Sequence, residues 1–186
     1  MLPAVKHYPI TVKLYHFMAE EGFFTPDERV ELIGGEIVEK SPVGSTHASC
    51  VNFLNEFLTS LFRGQYQVSI QNPVILDDES EPQPDIALLR YKKDFYKDSL
   101  PAASDAALLI EVADKTVDFD RSRKLPRYGA AGVPETWLVD LPGEKVEVHF
   151  APKKTTYGMV KIYQRGEDVI SETMPNLKIS VDELLG

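Results

Sequence analysis

Pro84-Asp85-Ile86-Ala87-Leu88-Leu89 and, further on, Leu108-Leu109-Ile110-Glu111-Val112 are two apolar runs that each carry a single carboxylate. A lone ionised carboxylate in a buried strand is costly, because desolvation disfavours the charge. Such groups persist mainly where they are paired or bind a metal. The polar loop between the runs, 92–105, is centred near position 98, and so is the pair Asp85 and Glu111. Antiparallel pairing about that centre sets the two residues opposite each other, with Cβ atoms ~5 Å apart if they share a face. That spacing suits two carboxylates on one Mg²⁺ (or Mn²⁺), a hard cation that takes oxygen ligands and keeps several waters. The competing reading is blander: Asp85 simply follows a turn-forming proline, and Glu111 faces solvent on an edge strand.

Working outward, Asp120-Arg121-Ser122-Arg123-Lys124-Leu125-Pro126-Arg127-Tyr128 reads as a basic helix covering roughly 118–131, kinked at Pro126 and stopped at Gly132. Upstream, Thr11 caps a short helix with Leu14, Phe17 and Met18 on one face. Val30-Glu31-Leu32-Ile33 and Glu36-Ile37-Val38-Glu39 flank Gly34-Gly35 as a hairpin. A long helix starts at Ser45 or Thr46 and runs to about Phe62, with Val51, Leu54, Leu58 and Leu61 at helical spacing. Strands are expected over 66–76, 85–91, 106–113, 135–141, 145–150 and 157–164, and a short helix over 181–185. The strand 145–150 alternates as a half-buried strand does. Helix, strands, helix, strands is the order of an α/β or α+β domain built on a mixed sheet. The whole chain, 1–186, reads as one domain.

Composition sets the outer bounds. No apolar run is long enough to cross a bilayer, and Met1–Ile10 lacks the basic-then-apolar pattern of a secretory leader. Cys50 is the only cysteine, which leaves no internal disulfide or cysteine-rich zinc site and suits a reducing cytoplasm. A net charge of −9 speaks against non-specific coating of nucleic acid. It is compatible with a nuclease, which needs acidic metal ligands and only a local basic surface.

Together, Glu81-Pro82-Gln83-Pro84-Asp85-Ile86-Ala87, Leu109-Ile110-Glu111-Val112, the 120–128 segment and Gly132-Val133-Pro134-Glu135-Thr136-Trp137-Leu138-Val139-Asp140 resemble the Uma-two family of restriction-endonuclease-like proteins. That group lies within the PD-(D/E)XK nuclease superfamily. Glu31-Leu32-Ile33-Gly34-Gly35-Glu36 and the helix start with His47 are similar to it as well. The resemblance implies a restriction-endonuclease-like core, a mixed β-sheet flanked by helices, with metal at the positions matching Asp85 and Glu111. The superfamily's catalytic lysine would stand two residues after the acid, where this chain has Ala113. Lys115 has the right parity but is roughly 13 Å along an extended strand. Lys124 matches a lysine of the family's helix motif and is the candidate to orient water and offset phosphate charge. A solvated lysine on a charged helix face is its competing reading.

Glu36, His47 and Gln71 are accessory candidates: a further acid from the hairpin, a histidine on the apolar stripe of its helix, and a polar break in a strand. Each has a structural alternative: a solvated hairpin carboxylate, a satisfied core histidine, an ordinary hydrogen bond. Arg121, Arg123 and Arg127 are candidate phosphate contacts, or else a solvated face paired with Asp118 and Asp120. Trp137 reads as core and Asp140 as a strand terminus. The C-terminal strands offer an edge for a homodimer. Two functions follow: a Mg²⁺-dependent DNA endonuclease, or a catalytically silent binding or oligomerisation module that keeps the nuclease fold.

Overall fold

Alternation along the apolar runs becomes two faces of one mixed sheet. A computed structural model describes residues 8–186; of the stretch Met1–Ile10, residues 1–7 lie outside the described residues. The elements are α1 (Val12–Glu20), β1 (Val30–Ile33), β2 (Glu36–Glu39), α2 (Ser45–Leu61), β3 (Tyr66–Ile70), β4 (Ile86–Arg90), β5 (Ala106–Ala113), α3 (Val117–Phe119), α4 (Leu125–Ala130), β6 (Glu135–Asp140), β7 (Lys145–Pro152), β8 (Tyr157–Gln164), β9 (Asp168–Ile170), β10 (Lys178–Ser180) and α5 (Val181–Leu185). Six strands form the sheet in the order β3-β4-β5-β6-β7-β8, with β1-β2 and β9-β10 as separate pairs. Only β5 and β6 run parallel. A parallel pair needs a crossover, and here it is the segment carrying α3 and α4. The basic stretch is therefore laid against the sheet by topology.

Parity decides what lies under it. Ile86, Leu88, Leu108, Ile110 and Val112 face one side, where they pack with Leu54 and Leu58 of α2 and Leu184 of α5. Ala87, Leu89, Leu109 and Ala113 face the other, with Leu125 and Tyr128 of α4. Asp85 and Glu111 share the parity of this second face. Gly129 lets α4 come close: a Cβ there would meet the backbone of Thr156 and Tyr157 at 2.5–2.8 Å.

Several expectations are corrected in detail. Strand β3 ends at Ile70 rather than near Leu76, because Gln71 takes a left-handed backbone, φ +52°. The helix expected over 118–131 is broken into α3, a π-turn over Asp120–Lys124 and α4. Leu125 N–H bonds back to the Asp120 carbonyl, and Pro126 sits in the first turn of α4, where its missing donor costs little. On α1, Leu14 and Phe17 are exposed, whereas Tyr15 is buried and its hydroxyl donates to the Val30 carbonyl at 2.9 Å. Strand β7 does not alternate cleanly: Val146, Glu147 and Val148 are all buried, since Glu147 is drawn inward by ion pairs. Strands β9 and β10 are three residues each, too short for a period-2 pattern to declare itself. The Gly34-Gly35 hairpin, with both glycines at positive φ, and helices α2 and α5 follow the sequence. Among the described residues, no helix is long and apolar enough to cross a membrane.

Candidate active site

Strands β4 and β5 pair antiparallel with Ile86 opposite Ile110. One further step of that register sets Asp85 opposite Glu111. Both residues line a cavity of ≈ 300 Å³. Asp85 caps the strand pair: its Oδ2 accepts the Val112 N–H at 2.9 Å, while the Asp85 carbonyl accepts the Gln71 N–H at 3.1 Å.

Two further side chains close on the same carboxylate. His47, in the first turn of α2, brings Nε2 to 3.1 Å from Asp85 Oδ2. Gln71 donates from Nε2 to Oδ1 at 3.0 Å, aimed there by its left-handed backbone. Burial pushes the Asp85 carboxyl up, but His47, the Val112 N–H and Gln71 outweigh it and hold it below the ordinary value. His47 Nδ1 is buried without a hydrogen-bond partner among the described residues.

Glu111 is held differently. The Lys124 amine stands 3.3 Å from its Oε1, and the Tyr128 hydroxyl donates to the same oxygen. Complete burial, with Asp120, Asp85 and Glu31 nearby, pushes Glu111 up to about 8 despite Lys124. Lys124 is itself buried, with Nζ 2.9 Å from Glu31 Oε1 and 3.7 Å from Asp120 Oδ1. Desolvation works against its charge, yet Glu111, Glu31 and Asp120 together hold it above the ordinary lysine value. Burial likewise raises Asp120, with Lys124 and the Thr116 hydroxyl opposing.

The structure thus brings Asp85, Glu111, Lys124, His47 and Gln71 together around one cavity. Glu36 is not among them: it is exposed and pairs with Arg123 at 2.6 Å. The buried hairpin acid at the cavity is Glu31, on the opposite strand, pinned by the Gln83 N–H at 2.9 Å. The arginines are also turned elsewhere. Arg121 binds Glu147 at 2.8 Å and Asp140 at 3.2 Å, and Arg127 donates to the Arg123 carbonyl. Trp137 is fully buried, its indole N–H on Glu135.

Three residues of the cluster escaped the sequence reading, and each carried a signal. Glu31 interrupts the apolar run Val30–Ile33 as Glu111 interrupts its own. Asp120 and Tyr128 each stand four residues from Lys124, the spacing of one helix face.

The chemistry of the donor set bears on a metal. Among the described residues, no group of three or more His, Cys, Asp or Glu side chains is arranged to hold an ion. Mg²⁺ does not require one, since one or two carboxylates plus waters are its usual protein share. Among the described residues, Glu111 Oε2 makes no hydrogen bond, and a carboxylate has about four acceptor sites, so Asp85 keeps capacity beyond its three donors. Hard oxygen donors at the end of two paired strands fit such a cation.

A crystal structure from Anabaena variabilis, described as a "putative nuclease", superposes with a TM-score of 0.74 at 14% identity, covering 95% of this chain and 98% of that one. At that identity the likeness establishes the fold. No curated protein matches the sequence. The family model Uma2, described as "Putative restriction endonuclease", matches residues 13–182, and the chain belongs to that family.

Proposed function

We propose that this protein hydrolyses phosphodiester bonds in DNA with Mg²⁺ or Mn²⁺ as cofactor. The observation that carries the reading is Lys124: a buried amine delivered by the crossover onto Glu111, beside Asp85 in facing register. Asp85 and Glu111 are the residues that would hold the cation, whose chemistry is to make water a better nucleophile and offset charge on the phosphate. His47, Gln71 and the Val112 N–H orient Asp85. Tyr128 orients Glu111, which would give up its proton to become a ligand. Lys124 sits where it would offset charge developing on the phosphate oxygens and position the attacking water.

The test is supercoiled plasmid with Mg²⁺ or Mn²⁺. Wild type should nick it, and a double variant Asp85→Asn, Glu111→Gln should not. In parallel, the cation should raise wild-type stability by mass action, by about 2.7 kcal/mol at a hundredfold excess over Kd. Each single variant should lose most of that gain. Equal metal shifts in wild type and variants would remove this pair as the metal site.

One observation favours a second reading, a binding module without catalysis. Lys124 is tied to three carboxylates at 2.9–3.7 Å and is not free for a substrate until they turn to another cation. An intact plasmid under all metals, together with retained binding of nucleic acid, would select it.

A further inference from the structure

In the basic helix segment, three of the cations are already held by carboxylates. Arg121 is occupied by Glu147, Asp140 and Asp118, Arg123 by Glu36, and Lys124 by the acid cluster. The cations lining the cavity that have no carboxylate partner among the described residues are Arg29, Lys40 and Lys115. Among the described residues, Lys115 makes no ion pair or side-chain hydrogen bond. Lys40 Nζ donates only to the Gln83 carbonyl at 2.8 Å, which leaves two of its three protons. Among the described residues, the Arg29 guanidinium donates to the Gln71 amide oxygen alone, at 3.2 Å. Gln71 in turn holds Asp85, so Arg29 is joined to the catalytic end through one side chain.

The same rim carries apolar surface. Phe119, at the end of α3, is half-buried, and Pro42 and Val43 in the loop before α2 are exposed. Glu39 and Asp114 also lie on the rim, so the cations form separate contact points rather than a continuous basic face. With the acids at its base, a cavity of ≈ 300 Å³ has room for a nucleotide-sized group. Separate backbone cations beside an aromatic ring are how single strands are bound: charge follows the phosphates and a base stacks on the ring.

Building on the nuclease reading above, we propose that this cavity takes a single-stranded segment of nucleic acid. Lys40 and Lys115 contact flanking phosphates, Arg29 contacts the one nearest Asp85, and Phe119 stacks on a base.

The experiment measures binding of one labelled DNA oligonucleotide, as a single strand and as a duplex, with Ca²⁺ in place of Mg²⁺, across 50–200 mM salt. The single strand should bind more tightly. Each phosphate contact on a single strand contributes ~0.7 to the slope of log K against log[salt], so the double variant Lys40→Gln, Lys115→Gln should flatten it by about 1.4. That is about a sevenfold smaller loss of affinity over the fourfold salt range. Phe119→Leu keeps apolar bulk and should weaken the single strand by ~5- to 150-fold, the range for loss of one stacked base. Thermal melts of all variants, read alongside, show that the binding losses compare folded proteins, with Lys40→Gln giving up its bond to the Gln83 carbonyl. A wild type that prefers duplex, or a double variant with an unchanged slope, overturns the single-strand proposal while plasmid cleavage leaves the nuclease reading standing. A wild type that binds neither form and leaves plasmid intact overturns both.

Discussion

Replacing Lys124 with methionine keeps most of the stem's volume and removes only the charge. In wild type, Nζ stands 2.9 Å from Glu31, 3.3 Å from Glu111 and 3.7 Å from Asp120, and all four side chains are at most 6% exposed. At an effective dielectric near 20, each contact with an ionised carboxylate is worth on the order of 5 kcal/mol before desolvation. The net loss is capped, because a carboxylate left without its cation takes a proton instead. Glu111 is already poised near 8 and absorbs none of the change at neutral pH. Asp120, which burial already raises, is then the carboxyl that takes a proton, and holding it protonated at pH 7, about three units above an ordinary carboxyl value, costs about 4 kcal/mol. The figure agrees with the 3–5 kcal/mol typical of breaking a buried pair. A carboxyl that binds protons more tightly when folded weakens the fold as pH rises. The deficit of Lys124→Met should therefore grow by about 1.4 kcal/mol per unit for each carboxyl protonated, and shrink to roughly 1 kcal/mol by pH 5. Urea denaturation of both proteins at pH 5, 6, 7 and 8, with unchanged m-values, measures it. A deficit that does not vary with pH would mean that lost packing dominates, and would refute the charge argument.

Two further outcomes can be checked by denaturation alone. His149, Arg121 and Lys145 hold Glu147 below the ordinary carboxylate range despite its burial, so its contribution is complete at neutral pH and is lost progressively as pH falls below about 4.5. Glu147→Gln should destabilise by on the order of 1–2 kcal/mol at pH 7 and converge on wild type in acid; parallel pH profiles would contradict this. Gly129→Ala should destabilise by roughly 1–3 kcal/mol, because the new Cβ meets the Thr156–Tyr157 backbone and forces α4 away from β8. An exposed helical site would gain from the same change, so a higher Tm would refute the close-approach argument.

The sheet was legible because its central strands state their faces outright. The loop midpoint between Asp85 and Glu111 anticipated the register that Ile86 and Ile110 adopt. The continuous apolar run over 106–113 gave β5 to the residue. The crossover helix was legible in place but not in form. Pro126 signalled a disturbance, yet nothing local says that the chain absorbs it as a π-turn one residue earlier, since that depends on how Lys124 and Leu125 dock on the sheet. Glu147 failed for a related reason: alternation assumes that a charge points outward, and Arg121, 26 positions away in sequence, reverses that.

Within the site, the residues were more legible than their assignments to one another. Glu36 and Glu31 lie on opposite strands of one hairpin, and only Glu36 was read from the sequence as the accessory acid. Register alone does not choose between them. Burial does, because Glu31 sits within an apolar run while Glu36 directly follows the turn, where solvent reaches it. The same test separates the basic residues. Lys124 lies one turn before Tyr128 and next to Leu125, the apolar anchors of α4, so its amine is carried inward. Arg121 and Arg123 flank that stripe and meet acids away from the cavity, Glu147 and Asp140 for the one and Glu36 for the other. Ala113 has no room for a lysine, packed as it is at 0% exposure against the α4 face. The amine is then supplied from above the sheet rather than along it, and the π-turn sets Asp120 and Lys124 on the same side so that it can reach.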